Sequence, residues 1–159
     1  MPDMLTLVRS PAPLSVAALP ADVVLRAPEP DDAVAVGRLY FDAYEPGIAG
    51  ADESEAIDDI RASFAGEYGA LRLDWSWLAL SGETVVGTVL IVDRAPWPDT
   101  PDCPFIIELF TARNCRRQGV GRALVAACID AAGGEVALRV NQDNSAARRL
   151  YASFGFSEA

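Results

Sequence analysis

Arg116-Arg117-Gln118-Gly119-Val120-Gly121-Arg122-Ala123-Leu124 is the stretch whose reading decides the fold. It divides a strand-like apolar run, Phe105–Thr111, from a helix-like apolar run, residues 124–132. Two glycines at i and i+2 on a strand-to-helix turn let the backbone approach a ligand closely. The first amides of the new helix point outward, and its dipole adds positive potential at that end. Arg113, Arg116, Arg117 and Arg122 fall within ten residues that hold no Asp or Glu. The segment reads as a seat for an anion held by backbone amides, above all a phosphate or pyrophosphate.

The rest of the chain is acidic. Its 159 residues fit one domain with a proper core, and 51% hydrophobic with 23% charged residues is a globular composition. The formal charge is −10, which argues against broad nucleic-acid binding. An acidic surface with one basic spot suits a single anionic ligand and a cationic second one. There is no histidine, so Ser-His, Cys-His and HExxH chemistries are excluded. There is no lysine either, which removes a phosphate-loop lysine and Schiff-base chemistry. Cys103, Cys115 and Cys128 form no CxxC pair and read as reduced thiols of a cytoplasmic protein. Residues 1–21 lack a basic start and are broken by Pro11, Pro13 and Pro20, so neither a signal peptide nor a membrane span is expected. They read as a poorly ordered extension, with a short strand at residues 5–8; the domain proper is residues 22–159.

Going outward from the glycines, Gly133-Gly134 stops the helix, and residues 136–140 form a short buried strand. A last helix spans residues 144–154, with Ala147, Leu150, Tyr151 and Phe154 on one face. Upstream, residues 75–80 and 85–92 flank Ser81-Gly82-Glu83-Thr84 as a hairpin, and a proline-rich loop, residues 96–104, leads into the strand before the glycines. Val23–Arg26 is the first strand, Asp31-Asp32 cap a helix over residues 33–44, and residues 52–68 form a second, acid-rich helix. The order is a mixed α/β sandwich.

Three motifs compete for Gly119-Val120-Gly121. A dinucleotide fingerprint needs a third glycine where Leu124 stands, and a phosphate loop needs Gly-Lys-Ser/Thr. Arg116, Gly119 and Gly121 match the R/Q-x-x-G-x-G/A pattern of the GNAT acyltransferase superfamily. Asn144, Ala147, Leu150 and Tyr151, followed by Phe154-Gly155-Phe156, resemble that family's second motif, Asn-x-x-Ala-x-x-Leu-Tyr ending in Gly-Phe. The hairpin with Gly87, and Arg26 with Pro28, Asp31 and Asp32, are similar to its earlier segments. The resemblance spans roughly residues 22–157.

The resemblance implies a mostly antiparallel mixed sheet flanked by helices and an N-acetyltransferase that uses acetyl-CoA as cosubstrate and no metal. Amides from Arg116, Arg117, Gln118, Gly119, Val120, Gly121 and Arg122 would hold the pyrophosphate, with the Arg117 and Arg122 side chains as further contacts. The pantetheine arm would pair with Leu109 and Thr111, and the amide of Leu109 or Phe110 would polarise the thioester. Tyr151 matches the general acid for the departing thiolate, although its periodicity alone makes it core. Asn144 is a helix cap or a contact to the cofactor arm. Glu108 is the candidate base; Glu45, Asp99 and Asp102 are weaker acceptor-side candidates, and Trp97 shapes that pocket or caps the sheet. The acceptor would be a small or peptide amine, with no nucleic-acid or membrane partner. A non-catalytic acyl-CoA-binding sensor on the same fold is the alternative.

One departure stands out. Members of the family continue past Gly-Phe with a further strand pair, whereas this sequence ends at Ala159. The C-terminal strand pair therefore reads as truncated. The slot would be filled by the N-terminal segment, by a second subunit in a homodimer, or left short.

Overall fold

The computed structural model describes residues 4–14 and 18–159. Seven strands form one sheet: β1 Met4–Arg9, β2 Val23–Arg26, β3 Trp77–Ser81, β4 Thr84–Val92, β5 Phe105–Thr111, β6 Val136–Asn141 and β7 Ser157–Glu158. Four helices flank it: α1 Ala33–Ala43, α2 Glu53–Phe64, α3 Val120–Ala132 and α4 Ser145–Ser153. The sheet order is β2-β3-β4-β5-β6-β1-β7, antiparallel throughout except for β5 beside β6. This is the mixed, mostly antiparallel sheet with flanking helices that the motifs imply.

The short strand expected at residues 5–8 is present as Met4–Arg9, in a segment that otherwise read as loose. Met4–Arg9 is no loose extension: it lies inside the sheet, paired along its length with β6 and at Leu7 and Val8 with β7. Leu7 is buried in the main core. Buried Arg9 donates from Nε to the Phe154 carbonyl (2.7 Å) and from Nη2 to the Ala12 carbonyl (2.9 Å), tying the strand to the end of α4. β1 thus occupies the sheet position between β6 and β7, the first of the three expected ways of filling it. Residues 1–3 and 15–17 lie outside the described residues.

Each face of the sheet carries one helix pair. The core under α3 and α4 gathers Val86, Val89, Ile91, Ile106, Leu124, Val125, Cys128, Leu138 and Val140. Gly87 sets how near α3 can lie, since a Cβ there would be 3.1 Å from Leu124 Cδ1 and 3.2 Å from Val120 Cγ1. On the opposite face α1 and α2 pack over Leu78, Leu80 and Phe110. The two helices touch at Gly37, where a Cβ would fall 2.5 Å from Ile57 Cα. The α2 start is capped as its residues imply, Asp52 accepting from the Glu55 amide at 2.9 Å. At α1 the expected cap is different: the Asp32 carboxylate is held by both Arg26 nitrogens at 2.8 Å and caps the Glu29 amide at 2.7 Å, leaving α1 without a side-chain cap.

The β4–β5 register slips between Leu90/Ile91, opposite Glu108 and Ile106, so Ile107 is an extra residue in β5. A one-residue bulge reverses the alternation. Ile106 therefore packs under α3, while Phe110, four residues on, packs under α1. Glu108, two residues before Phe110, shares the α1/α2 face.

Candidate active site

The glycine loop builds the turn its sequence demands. Gly119 is left-handed at φ 88°, and a Cβ there would meet the Ala18 carbonyl oxygen at 3.3 Å. Arg117 is also left-handed, at φ 63°. Among the described residues, no protein acceptor takes the amides of Arg117, Gln118, Gly119, Val120, Gly121 or Arg122. At Gly121 the nearest atom to an added Cβ is Thr111 Cγ2 at 3.9 Å, so protein packing does not require glycine there. Its effect is to leave the neighbouring amides uncovered, which is the donor set that a pyrophosphate needs.

The arginines divide their work differently from the sequence expectation. Arg116, expected to line the anion seat, turns its Nη2 to the Ala43 carbonyl at the end of α1. Arg113 does the same, from Nε to the Asp42 carbonyl (2.9 Å) and from Nη2 to the Tyr44 carbonyl (2.8 Å). Both cations satisfy the orphan carbonyls of a helix C-terminus. Arg122 Nη1 bonds Ser153 Oγ at 3.0 Å, and its guanidinium lies 5.4 Å from the Phe154 ring centroid, so it couples α3 to α4. Gln118 Nε2 returns to the Asn114 carbonyl at 3.2 Å. The Arg117 side chain alone among the four arginines has no partner among the described residues, and it is exposed. Asn144 caps α4 by accepting the Ala147 amide at 3.1 Å, the first of its two expected roles.

Next to the loop the sheet opens. β5 and β6 pair only at Phe105↔Ala137 and Ile106↔Leu138, and beyond Ile106 β5 is paired on its β4 side alone. The Ala112 amide bonds the Val86 carbonyl at 2.8 Å. By the alternation of an antiparallel ladder, Phe110 is also turned to β4, while the backbone groups of Leu109 and Thr111 face the gap. Of the two amides expected to reach a thioester, only that of Leu109 is therefore available. The Phe110 ring instead stacks on Tyr40 with centroids 5.2 Å apart and meets Tyr44 edge-on at 6.1 Å.

Glu108 and Tyr151 reach this gap from opposite faces. Glu108 is no solvated strand residue: burial, then the Asp59 charge, push its carboxyl up to about 8. Its carboxylate has no hydrogen-bond or ion-pair partner among the described residues. Tyr151 is 7% exposed, packed edge-on against Phe156 at 5.7 Å, which satisfies the core role of its periodicity. Its hydroxyl nonetheless is not a sealed orphan, so it touches open space. Burial raises the Tyr151 phenol above its ordinary range, and the charges of Tyr44 and Glu108 raise it further. Those two groups belong to the α1/α2 face; they are felt because the sheet is open between β5 and β6.

The other acceptor-side candidates do not join them. Glu45 is drawn to Arg113 at 3.8 Å, Asp102 pairs with Arg94 at 3.2 Å, and Asp99 is exposed in a left-handed turn at φ 64°. Trp97 stacks on Tyr68 at 6.3 Å and meets Phe105 of β5 at 6.0 Å. Four residues around Glu108 escaped the sequence reading: Tyr40, Tyr44, Asp59 and Tyr68. Burial raises the Tyr40 and Tyr44 phenols, and the hydrogen bond to Asp59 raises that of Tyr68, with the Glu108 charge adding to each; Tyr44 and Tyr68 reach about 12. Tyr40 reads as an apolar helix position and Asp59 as one acid on a solvated acidic face. The pairing of Tyr40 with Tyr44 at i and i+4 was the available signal.

The sequence model of the Acetyltransferase (GNAT) family matches residues 33–156. The chain belongs to that family. No curated protein sequence is significantly similar to it. Among solved structures, a GCN5-related N-acetyltransferase from Sphaerobacter thermophilus is 18% identical with TM-score 0.71, covering 98% of this chain and 48% of its own. A protein from Pyrococcus horikoshii OT3 is 23% identical with TM-score 0.65, covering 86% and 90%. The diaminobutyrate acetyltransferase EctA from Paenibacillus lautus, solved with its substrate and coenzyme A, is 20% identical with TM-score 0.58, covering 83% and 74%. This GNAT chain thus spans about half the length of the first of these and most of the other two, and at these identities the likeness is one of fold.

Proposed function

We propose that this protein is an acetyl-CoA-dependent N-acetyltransferase that moves the acetyl group directly to an amine within a ternary complex. One observation carries the reading: Glu108 and Tyr151 face a single gap from opposite sides, beside an unpaired strand edge and a row of uncovered amides. Coenzyme A bound to a related fold supports it. The amides of Arg117 through Arg122, with the Arg117 guanidinium, hold the pyrophosphate, and the backbone of Leu109 and Thr111 pairs with the pantetheine arm.

Glu108 accepts a proton from the acceptor ammonium, directly or through one water. A base near 8 is close to both working pH and a primary amine, as efficient transfer requires. As the C–N bond forms, the Leu109 amide donates to the oxygen that gains charge. The C–S bond then breaks, Tyr151 donates its hydroxyl proton to the departing sulfur, and the phenolate regains a proton as the new amide nitrogen loses its extra one. Its raised pKa keeps it protonated until then, and the same desolvation strengthens the thiolate as a base. No metal and no acyl-enzyme are needed.

Thiol release from acetyl-CoA over an amine panel tests this. Glu108→Gln is expected to lower kcat/KM by roughly 10²- to 10⁴-fold, the usual weight of a general base, while acetyl-CoA still binds. Tight acetyl-CoA binding with no turnover on any amine would favour the sensor reading.

A further inference from the structure

Resting on that reading, the surroundings of Glu108 narrow the acceptor. Two aromatic arms leave β5 on the α1/α2 face, and Tyr40, Tyr44 and Tyr68 among them all feel the Glu108 charge. One runs from Phe110 to Tyr40 on α1 and Tyr44 just past its end, whose rings meet edge-on at 5.5 Å. The other runs from Phe105 through Trp97 to Tyr68. The Tyr68 hydroxyl closes the circuit by donating to Asp59 Oδ1 on α2 at 2.5 Å. Asp59 precedes Ile60, which is buried in the core shared with Tyr40 and Phe110, so both arms end at the same turn of α2.

Two carboxylates, Glu108 and Asp59, share these surroundings, and neither forms an ion pair among the described residues. The cations nearby are committed elsewhere: Arg116 to the Ala43 carbonyl, and Arg139 over the Trp97 ring at 5.9 Å. Once Glu108 ionises, two negative charges stand here without a cation, and the phenol and indole faces beside them attract positive charge. A single ammonium would satisfy only one of them.

We propose that the acceptor is a diamine-type molecule, with one amino group acetylated beside Glu108 and a second, still protonated, held by Asp59 between Tyr40 and Tyr68. Asp59 is then a specificity residue. It rejects monoamines because they leave its charge unpaired.

The test compares kcat/KM for short α,ω-diaminoalkanes with n-alkylamines of equal length, in the wild type, Asp59→Asn and Asp59→Glu. Acetyl-CoA affinity by calorimetry and Tm serve as controls. The wild type is expected to prefer the diamine by roughly 10- to 100-fold, the scale of one charge-assisted hydrogen bond. Asp59→Asn, which can still accept from Tyr68, should collapse that ratio chiefly through the diamine KM, and Asp59→Glu should keep part of it. Equal use of both amine classes, or a ratio unchanged in Asp59→Asn, overturns the diamine assignment while leaving acetyl transfer standing. Loss of the preference in both variants overturns it too. Acetyl-CoA binding without turnover on either class overturns the transferase reading, and this one with it.

Discussion

Glu108 makes folding depend on pH in one sense and, as the proposed base, makes catalysis depend on it in the other. Its folded pKa lies near 8, raised by burial and then by Asp59, against an ordinary value of 4.5 in the unfolded chain. Between those values the unfolded chain has released the proton and the folded one retains it. Stability from this group is thus complete below the ordinary carboxyl range and is lost as pH rises toward 8. Activity runs the other way, since the base must be ionised. kcat/KM is expected to rise with an apparent pKa near 8, below the limb set by the acceptor amine, and Glu108→Gln should erase that limb. The same variant should raise Tm by several degrees at about pH 9 and hardly change it at about pH 4, measured by calorimetry. A carboxylate on a strand before the glycine loop was visible in the sequence. Its burial was not, because the Ile107 bulge that turns it under α1 is a pairing irregularity between two strands and leaves no mark in either alone. Asp59 was hidden for a related reason: an acid-rich helix looks solvated until its partner helix is known.

At the level of elements, the arginine-rich turn before α3 serves two neighbours. Its backbone amides stand uncovered, while Arg113 and Arg116 grip the carbonyl end of α1, the helix that brings Tyr40 and Tyr44 to Glu108. The turn itself was legible because glycine geometry is local. The destination of each guanidinium was not, because α1 lies about seventy residues away in sequence. The two kinds of arginine should separate in kinetics. Arg116→Ala is expected to lower Tm and raise the acceptor KM, having released α1. Arg117→Ala should leave Tm unchanged and weaken acetyl-CoA binding by roughly 10-fold, the loss of one charge-assisted contact. Differential scanning fluorimetry with calorimetric titration distinguishes the outcomes.

For the molecule as a whole, what matters is how the sheet is closed. The order of helices and strands from Val23 onward followed from periodicity and turn residues, and the two glycine-linked motifs identified the architecture. The first strand was the least legible part. Leu5 to Val8 showed only a short β signal ahead of several prolines, and the partners that make it a strand lie at the other end of the chain. Because Leu7 is buried at the heart of this closure, Leu7→Ala is expected to cost about 2–5 kcal/mol, read by urea unfolding.

That closure also imposes an order of events. Met4–Arg9 is made long before its pairing partners, Val136–Asn141 and Ser157–Glu158. Until then an apolar strand has no edge to join, and its docking must close a loop that holds everything from β2 to α3. Such distant pairing is slow, and the waiting segment is the one most open to wrong partners. A strand made well before its partners can dock only after them.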